Sequence, residues 1–334
     1  MAVTSKNIVK DIVNDLCQVE DVRQITAFDR EAISEFLLSQ EDTTSHGNHW
    51  IYYLTACRRL WLSYFDGDTL IPITTRFPGK PPFVIVRPVG LDVPNKCAAL
   101  AAHLKDLSKQ RVIVKNIDVT VRNSLRQLGF SDYRPGDGWS PSYRCDDQTF
   151  PEAVVDLNEL VALNGDSYAH LRHDLRKGIS NRLKLEPYNP HHHAADIGEL
   201  IAKWEQAFLK RYPKEDVSDL LDFYTAFATG HEGLEFAKDY VGWVCRLDGQ
   251  TVGFVYGAPK PNQAVDMYAN PCWHKQSCLS ESVLFSALRE LTTLGFTTAN
   301  LGGSETLGLH QFKHKFSPAA EIQRYHVVDY GGND

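Results

Sequence analysis

Two stretches of the sequence share one pattern, LWLSYFDGDTLIPI at residues 60–73 and GWVCRLDGQTVGFV at residues 242–255. Each has a run of apolar and β-branched residues, then the pair Asp-Gly, then a second such run. Asp-Gly readily adopts the positive φ angles of a tight turn, so each stretch predicts a β-hairpin. The two hairpins therefore indicate two similar halves of the chain.

The segments that follow the two hairpins occur in the same order. After the first hairpin, the sequence predicts a strand, a helix, a strand and a helix at residues 83–86, 94–107, 111–115 and 119–128. After the second hairpin, it predicts a strand, a helix, a strand, a helix and a strand at residues 264–268, 279–293, 297–301, 307–315 and 322–329. The repeated order predicts two α/β domains of similar plan, each with a mixed central sheet flanked by helices.

The length of the chain agrees with this division, because 334 residues are more than one typical core holds. We place the first domain at residues 1–140 and the second at residues 141–334, with a linker rich in Gly and Pro at residues 136–151. A helical insertion opens the second domain, with segments predicted at residues 156–163, 167–185, 197–210 and 217–228.

The overall charge excludes a chain that binds nucleic acid through a basic surface coat. Asp and Glu number 42 against 35 Lys and Arg, which gives a net charge of −7 at pH 7 and leaves room only for a local basic patch. No apolar run approaches the roughly 18 residues of a membrane span, and charges interrupt the N-terminal stretch that a secretory signal would need. The seven cysteines form no Cys-x-x-Cys pair, so we expect free thiols and a cytoplasmic protein.

The predicted helix at residues 167–185 concentrates positive charge. Leucine or isoleucine recurs at every fourth position from Leu171 to Leu183, which predicts one buried stripe. The basic and amide side chains beside that stripe are Arg172, Arg176, Lys177, Asn181, Arg182 and Lys184. Only Asp174 opposes them, so the helix favours an anion-binding surface for phosphate, pyrophosphate or an RNA backbone. The alternative is an ordinary solvated helix face.

A second candidate lies where a predicted strand runs into Gly302 and Gly303 and a short helix follows. Bare backbone N–H groups at such a strand end bind anions or oxyanions. Lys313 and Lys315 follow within one turn of each other. The alternative is a tight turn beside a surface pair of lysines. Ser304, which follows the glycines, lacks the Gly-x-Ser-x-Gly frame of a hydrolase nucleophile.

Two carboxylates could accept a proton from an amine. Asp266 lies within a predicted half-buried strand, and Glu281 lies at the start of the next helix. Each could equally be a structural acid in an ion pair. The three histidines at 191–193 resemble a metal-binding tract, but adjacent side chains point in different directions and no Cys or acid lies at ligand spacing. We therefore expect a loop there and no metal ligands.

The repeated order of elements resembles tandem GNAT-type acyltransferase domains. Residues 279–316 are similar to Fem-type aminoacyl-tRNA-dependent transferases and to the soluble catalytic part of lysyl-phosphatidylglycerol synthases. Those families have a helix, a strand ending in Asp-x-Gly-Gly or similar, and then Phe-Lys-x-x-Phe. The corresponding residues here are Asn300-Leu301-Gly302-Gly303 and Phe312-Lys313-His314-Lys315-Phe316. The basic helix is similar to the Arg- and Asn-rich helix that opens the second domain in those families.

One departure from the GNAT pattern bears on the donor. GNAT enzymes that use acetyl-coenzyme A have a glycine-containing loop before the main helix, and its amides hold the pyrophosphate. The corresponding residues 274–281 and 91–96 contain no glycine. Close approach of the backbone to a pyrophosphate is difficult without glycine. The resemblance therefore implies an aminoacyl-tRNA donor and no bound cofactor.

The resemblance implies an acyl transfer in which an acceptor amine attacks an aminoacyl ester on tRNA. Lys313 would stabilise the oxyanion or hold the tRNA terminus, Phe312 would shape the pocket, and Asp266 or Glu281 would be the base. The expected substrate-binding residues are Arg172, Arg176, Lys177, Asn181, Arg182, Gly302, Gly303, Phe312 and Lys315. The acceptor stays open between a peptide, a cell-wall precursor, a lipid and a small metabolite. The alternatives are an acyl-coenzyme A-dependent N-acyltransferase and a non-catalytic module that binds tRNA or another anion.

Overall fold

The structure is a computed structural model. It describes Asp15, Val19 and residues 21–26, 29–40, 61–77, 80–133, 148–177, 182–213, 217–229, 234–273 and 276–329. Most of the predicted linker at 136–151 lies outside these residues, so the domain boundary between residues 140 and 141 stays a prediction.

The described residues of the first half form seven strands and three helices. The strands are β1 (Val22–Gln24), β2 (Trp61–Phe65), β3 (Thr69–Phe77), β4 (Lys80–Val86), β5 (Val89–Gly90), β6 (Ile113–Ile117) and β7 (Phe130–Asp132). The helices are α1 (Arg30–Ser39), α2 (Val93–Ser108) and α3 (Val119–Gln127).

In the second half, the part of the chain that the structure describes contains eight strands and six helices. The strands are β8 (Glu152–Asp156), β9 (Lys184–Pro187), β10 (Val241–Leu247), β11 (Gln250–Lys260), β12 (Ala264–Ala269), β13 (Thr298–Asn300), β14 (Ala320–Ile322) and β15 (Tyr325–Asp329). The helices are α4 (Leu157–Ala162), α5 (Ala169–Lys177), α6 (Pro190–Arg211), α7 (Ser218–Thr229), α8 (Leu279–Thr293) and α9 (Leu307–His314), and a 3-10 turn, Asp166–Tyr168, precedes α5.

Both predicted hairpins are confirmed, but their loops differ. In the second, Leu247 pairs with Gln250, so Asp248 and Gly249 form a two-residue loop with positive φ at both positions. In the first, Phe65 pairs with Leu70, so the loop is longer. There the Asp66 carboxylate accepts hydrogen bonds from two following backbone N–H groups and stabilises the turn.

The predicted order of elements is confirmed, and it builds two mixed sheets. The first sheet runs β1-β2-β3-β4-β6-β15-β7, with β5 beside β3, and the second runs β14-β8-β13-β12-β11-β10-β9. In each sheet the strands before and after the main helix are parallel, β4 with β6 and β12 with β13. The chain therefore has two α/β units of the same plan.

One strand of the second half crosses to the first sheet. The strand β8 lies between β13 and β14 in the second sheet, whereas β15 leaves the second half and inserts between β6 and β7. We expected residues 322–329 to complete the second sheet, and this expectation was wrong for β15. Residue pattern alone identifies a strand here, but its pairing partner is set by the tertiary contacts of Val327 and Val328 in the first sheet.

Two predictions for the helical insertion were also wrong. The helix expected at 167–185 ends as α5 at Lys177, and residues from Lys184 form β9 because they pair with β10. The loop expected at His191–His193 is the first turn of α6. Asn189 caps that turn by accepting a hydrogen bond from the His191 N–H, and Pro190 occupies the first helical position.

The two sheets pack on a shared core as well as on their own helices. Alternate residues of β4 face opposite ways, so Val84 and Val86 enter the shared core while Phe83 and Ile85 pack with α2. The second sheet contributes Phe254, Tyr256 and Ala258 of β11 to the shared core. The other face of the second sheet packs on α8, α4 and α5.

A buried carboxylate, Glu152 at the start of β8, connects the two halves close to the start of β15. Its Oε1 atom accepts hydrogen bonds from Arg87 Nη1 at 2.9 Å and Arg324 Nε at 3.1 Å, and its Oε2 atom accepts one from Asn300 Nδ2 at 3.0 Å. The side chains of Glu152 and Arg87 are 0% and 2% exposed. We call this set of four side chains the Glu152 junction.

Replacing Glu152 with Gln should lower the free energy of unfolding by about 3–5 kcal/mol, because two buried arginines lose their counter-charge. The matched control is Glu199→Gln, since Glu199 is exposed and makes only an i,i+4 pair with Lys203. That control should change stability by less than about 0.5 kcal/mol. Urea unfolding measures both variants, and an equal effect in the two would contradict the structural role of the junction.

Candidate functional site

The candidate site lies at the carboxyl ends of the parallel strands β12 and β13. Their pairing ends at Asp266 opposite Asn300, although β12 continues to Ala269. Ligands of α/β sheets bind in the crevice outside such carboxyl ends. The main helix of this half, α8, starts between these two strands in the sequence.

The Gly302–Gly303 turn follows β13 directly. The Asn300 side chain accepts a hydrogen bond from the Gly302 N–H at 2.8 Å, and Gly302 has a φ of 73°, which favours glycine. A Cβ atom on Gly303 would lie 2.5 Å from Gln148 Oε1, so a larger residue does not fit there. Both glycines are therefore needed by the backbone itself.

Lys313 closes this turn from α9. Its Nζ atom donates to the Gly302 carbonyl oxygen at 3.0 Å and to the Gly303 carbonyl oxygen, and the residue is only 9% exposed. Burial lowers the pKa of Lys313 to about 8, against the opposing attraction of Glu305 and Glu152. Gly302, Gly303 and Lys313 thus lie together, but the expectation of a bare N–H group was wrong for Gly302, because its N–H is bonded to the Asn300 side chain.

Lys315 belongs to a different cluster. Its Nζ atom donates to Asp174 Oδ2 at 2.8 Å and to Glu281 Oε1 at 2.6 Å, so it connects α5 with the first turns of α8. Burial acts to lower the pKa of Lys315, but the two carboxylates outweigh it and raise the pKa. Glu281 is therefore held in an ion pair, which agrees with the alternative that it is a structural acid.

Asp266 is fully buried and also has polar neighbours. Its Oδ2 atom accepts a hydrogen bond from the Tyr268 hydroxyl at 3.3 Å, and Lys260 Nζ lies 3.6 Å from its Oδ1 atom. Because Lys260 is itself buried, the opposite charges of the two side chains compensate each other beneath the crevice.

Phe312 is half-buried, and its ring centroid lies 5.5 Å from that of Phe316 in the core beside α8.

The residues of the expected basic surface have separate roles. Arg172 Nη1 donates to the carbonyl oxygens of Leu163 and Gly165, both at 2.6 Å, and so secures the end of α4. Arg182 pairs with Asp248 in the hairpin loop. Arg176 and Lys177 are exposed in the last turn of α5. Asn181 lies outside the described residues.

Three polar residues of this region were not among the predicted site residues. Glu152 and Asn300 are buried and connect the junction to the Gly302–Gly303 turn. The Ser304 hydroxyl oxygen is buried and has no hydrogen-bond partner in the described part of the chain. In the sequence, Asn300 and Ser304 lie on either side of Leu301-Gly302-Gly303. This position was the signal from which the two polar residues could have been predicted.

Both main helices start without a glycine, as the sequence indicates. The residue before α8 is Cys278, with a φ of 60°, and the residue before α2 is Asp92, with a φ of 54°. Neither helix receives a side-chain cap at its first turn. Among the described helices, none combines the length and apolar character that crossing a membrane requires.

No protein-family model matches the sequence, and no curated protein matches it either. Solved structures do match. A conserved protein of unknown function from Bacteroides thetaiotaomicron superposes with a TM-score of 0.70 at 14% identity, over 92% of this chain and 98% of that chain.

Two further matching structures belong to proteins whose names state a class or a pathway. The C-terminal domain of a lysylphosphatidylglycerol synthetase from Agrobacterium fabrum gives a TM-score of 0.59 at 15% identity, over 91% of this chain and 93% of that one. A tandem GNAT protein from the clavulanic acid biosynthesis pathway gives 0.53 at 11% identity, over 94% and 99%. At sequence identities this low, the structural similarity shows the fold and nothing further. The chain has the fold of two tandem GNAT-like domains, as the sequence predicts.

The two lysines of the Phe-Lys-x-x-Phe stretch should titrate on opposite sides of the ordinary lysine value of 10.5. Side-chain NMR should give a pKa of about 8 for Lys313, because burial disfavours its charge. Lys315 should titrate above 10.5, because two carboxylates hold its proton. The variants Lys313→Arg and Lys315→Arg assign the signals, and equal pKa values for the two lysines would contradict the described environments.

Proposed function

We propose that the protein is an acyltransferase that forms an amide, moving an aminoacyl group from aminoacyl-tRNA to an acceptor amine. The acceptor nitrogen attacks the ester carbonyl and forms the C–N bond, while the ester C–O bond breaks. The proton that the amine loses ends on the leaving tRNA hydroxyl. Because the ester is already reactive, the protein mainly has to position the groups and stabilise the oxyanion.

The observation that supports this proposal best is the position of Lys313 at the Gly302–Gly303 turn. A lysine with a pKa of about 8 is mostly protonated at pH 7, so it can donate to a developing oxyanion. It also releases a proton to a leaving oxygen more readily than an ordinary lysine does. Its place outside the carboxyl ends of β12 and β13 is where the fold favours a ligand.

The choice of tRNA as the donor rests on two further features. The starts of α2 and α8 lack the glycines that let a pyrophosphate approach the backbone, which disfavours coenzyme A. The fold is also similar to that of a domain of a lysylphosphatidylglycerol synthetase, and the Phe-Lys-x-x-Phe stretch resembles that of Fem-type transferases. Arg176 and Lys177 are the exposed cations of α5 that could contact tRNA phosphates.

The structure changes the assignment of the expected residues. Arg172 and Arg182 are engaged with carbonyl groups and with Asp248, so we do not propose them as phosphate contacts. Lys315 and Glu281 hold each other, so we propose that they position α9 rather than react. Asp266, compensated by Lys260, lies beneath the crevice and remains the candidate base.

Donor binding tests the proposal directly. Charged tRNA should bind the purified protein, and binding should weaken with salt. The double variant Arg176→Ala/Lys177→Ala should bind more weakly, and its slope of log K against log salt should be smaller by roughly 2. The matched control is Lys210→Ala/Arg211→Ala, which removes the same charges from the exposed last turn of α6 and should leave both quantities unchanged.

The alternative donors and roles appear as distinct outcomes of that experiment. Binding of acetyl-coenzyme A without binding of tRNA would overturn the tRNA-dependent reaction. Binding of tRNA without any transfer to a panel of peptide, lipid and small-molecule amines would indicate a non-catalytic module. An equal loss of tRNA affinity in the α5 and α6 variants would mean that tRNA is attracted by positive charge in general and not by a site on α5.

Lys313→Ala should reduce turnover by on the order of 10²–10³-fold, because it removes one donor to the oxyanion. The assay follows labelled aminoacyl groups from tRNA to the amine that the wild-type protein uses. Circular dichroism and thermal melting check that the variant folds. The control is Lys238→Ala, since Lys238 is exposed and pairs only with Glu235 nearby. Unchanged turnover in folded Lys313→Ala would remove Lys313 from the mechanism.

A further inference from the structure

Three potential metal ligands meet on the outer side of α9. His310 and His314 are four residues apart on that helix, so they share one face, and Glu321 lies in the neighbouring strand β14. One ligand atom from each residue lies within 4.8 Å of the other two. His314 Nε2 is 2.7 Å from Glu321 Oε1, and the two imidazole centroids are 4.2 Å apart.

The elements that carry these ligands are fixed independently of any metal. The Lys313 ammonium group anchors α9 to the Gly302–Gly303 turn, and Glu321 pairs with Ala153 in the register of β14 and β8. The His310 ring stacks on Phe150, with centroids 4.7 Å apart and an angle of 18° between planes. The three side chains are therefore held close together before a metal binds, which lowers the conformational entropy lost on binding.

A second observation concerns the hydrogen bonding of His310. The Nδ1 atom of His310 is buried, and no hydrogen-bond partner for it exists within the described residues. Buried polar atoms are normally paired, and an orphaned ring nitrogen calls for an explanation such as an ion. A simple His314–Glu321 pair would satisfy two of the three groups and leave His310 unexplained.

We infer that His310, His314 and Glu321 form a zinc-binding site. Two imidazole nitrogens and a carboxylate oxygen match the donor preferences of Zn²⁺, and three protein ligands leave a fourth tetrahedral position for water. Ligands about 2.0–2.2 Å from a tetrahedral ion lie about 3.4 Å from one another. The observed separations, from 2.7 Å up to a limit of 4.8 Å, bracket that value.

A zinc ion at this site would connect α9 to β14. Since α9 also carries Lys313, the ion would help to hold the helix that presents this lysine to the Gly302–Gly303 turn. This inference does not depend on the proposed aminoacyl transfer. In the sequence, the signal for this site is the i,i+4 spacing of His310 and His314 on a predicted helix, and the more conspicuous histidines at 191–193 draw attention away from it.

Zinc titration of the metal-free full-length protein tests the site. Calorimetry should show one tight equivalent, and Co²⁺ in its place should give the visible absorption of a tetrahedral site. His314→Ala and Glu321→Gln should each weaken binding by at least about tenfold. His310→Phe, which keeps the stack on Phe150, should do the same. Zinc should raise the melting temperature of the wild-type protein and not that of these variants.

The control is His191→Ala/His192→Ala, because these exposed histidines of α6 are the competing metal-binding group in the described chain. It should bind zinc as the wild type does. Loss of the tight equivalent in this control would assign the metal to α6 and overturn the inference. Absence of tight binding in the wild type, or unchanged binding in folded His314→Ala and Glu321→Gln, would overturn it as well.

Discussion

The compensation of one buried charge, that of Glu152, constrains how the two halves of the molecule fit together. A carboxylate without access to water is tolerated only when cations and hydrogen-bond donors surround it. Its partners come from the end of β4, the start of β15 and the end of β13. The junction brings Arg87 of the first half and Arg324, next to β15, to one carboxylate of the second sheet, so its charge favours the insertion of β15 into the first sheet over an arrangement in which β15 stays with the second half.

The same constraint reaches the candidate site through Asn300. Its amide group donates to Glu152, and its carbonyl oxygen accepts from the Gly302 N–H. Gly302 and Gly303 in turn offer their carbonyl oxygens to Lys313. A continuous set of polar contacts therefore runs from the interface of the halves to the lysine of α9, and the position of that lysine depends on the packing of both sheets.

Local sequence signals predicted the elements well and their pairing less well. The Asp-Gly turns and the apolar periods identified both hairpins and the repeated order, because these features act over neighbouring residues. The insertion of β15 into the first sheet could not be found in this way, since strand partners are chosen by distant contacts. The turn at Gly302–Gly303 and its lysine were predictable from a short motif. Glu152 was not, because its partners are far away in the chain.

Lys313 in α9 and Lys315, the residue that follows this helix, illustrate how the fold places one motif in two environments. At about 100° per residue, Lys313 and Lys315 point to nearly opposite sides of the helix end. Lys313 faces the Gly302–Gly303 turn, where it meets carbonyl oxygens and burial lowers its pKa. Lys315 faces Asp174 and Glu281, which keep it charged and hold α9 against α5 and α8. Lys315 thus holds the end of the helix that positions Lys313, and the two ammonium groups of the motif make different contacts for different physical reasons.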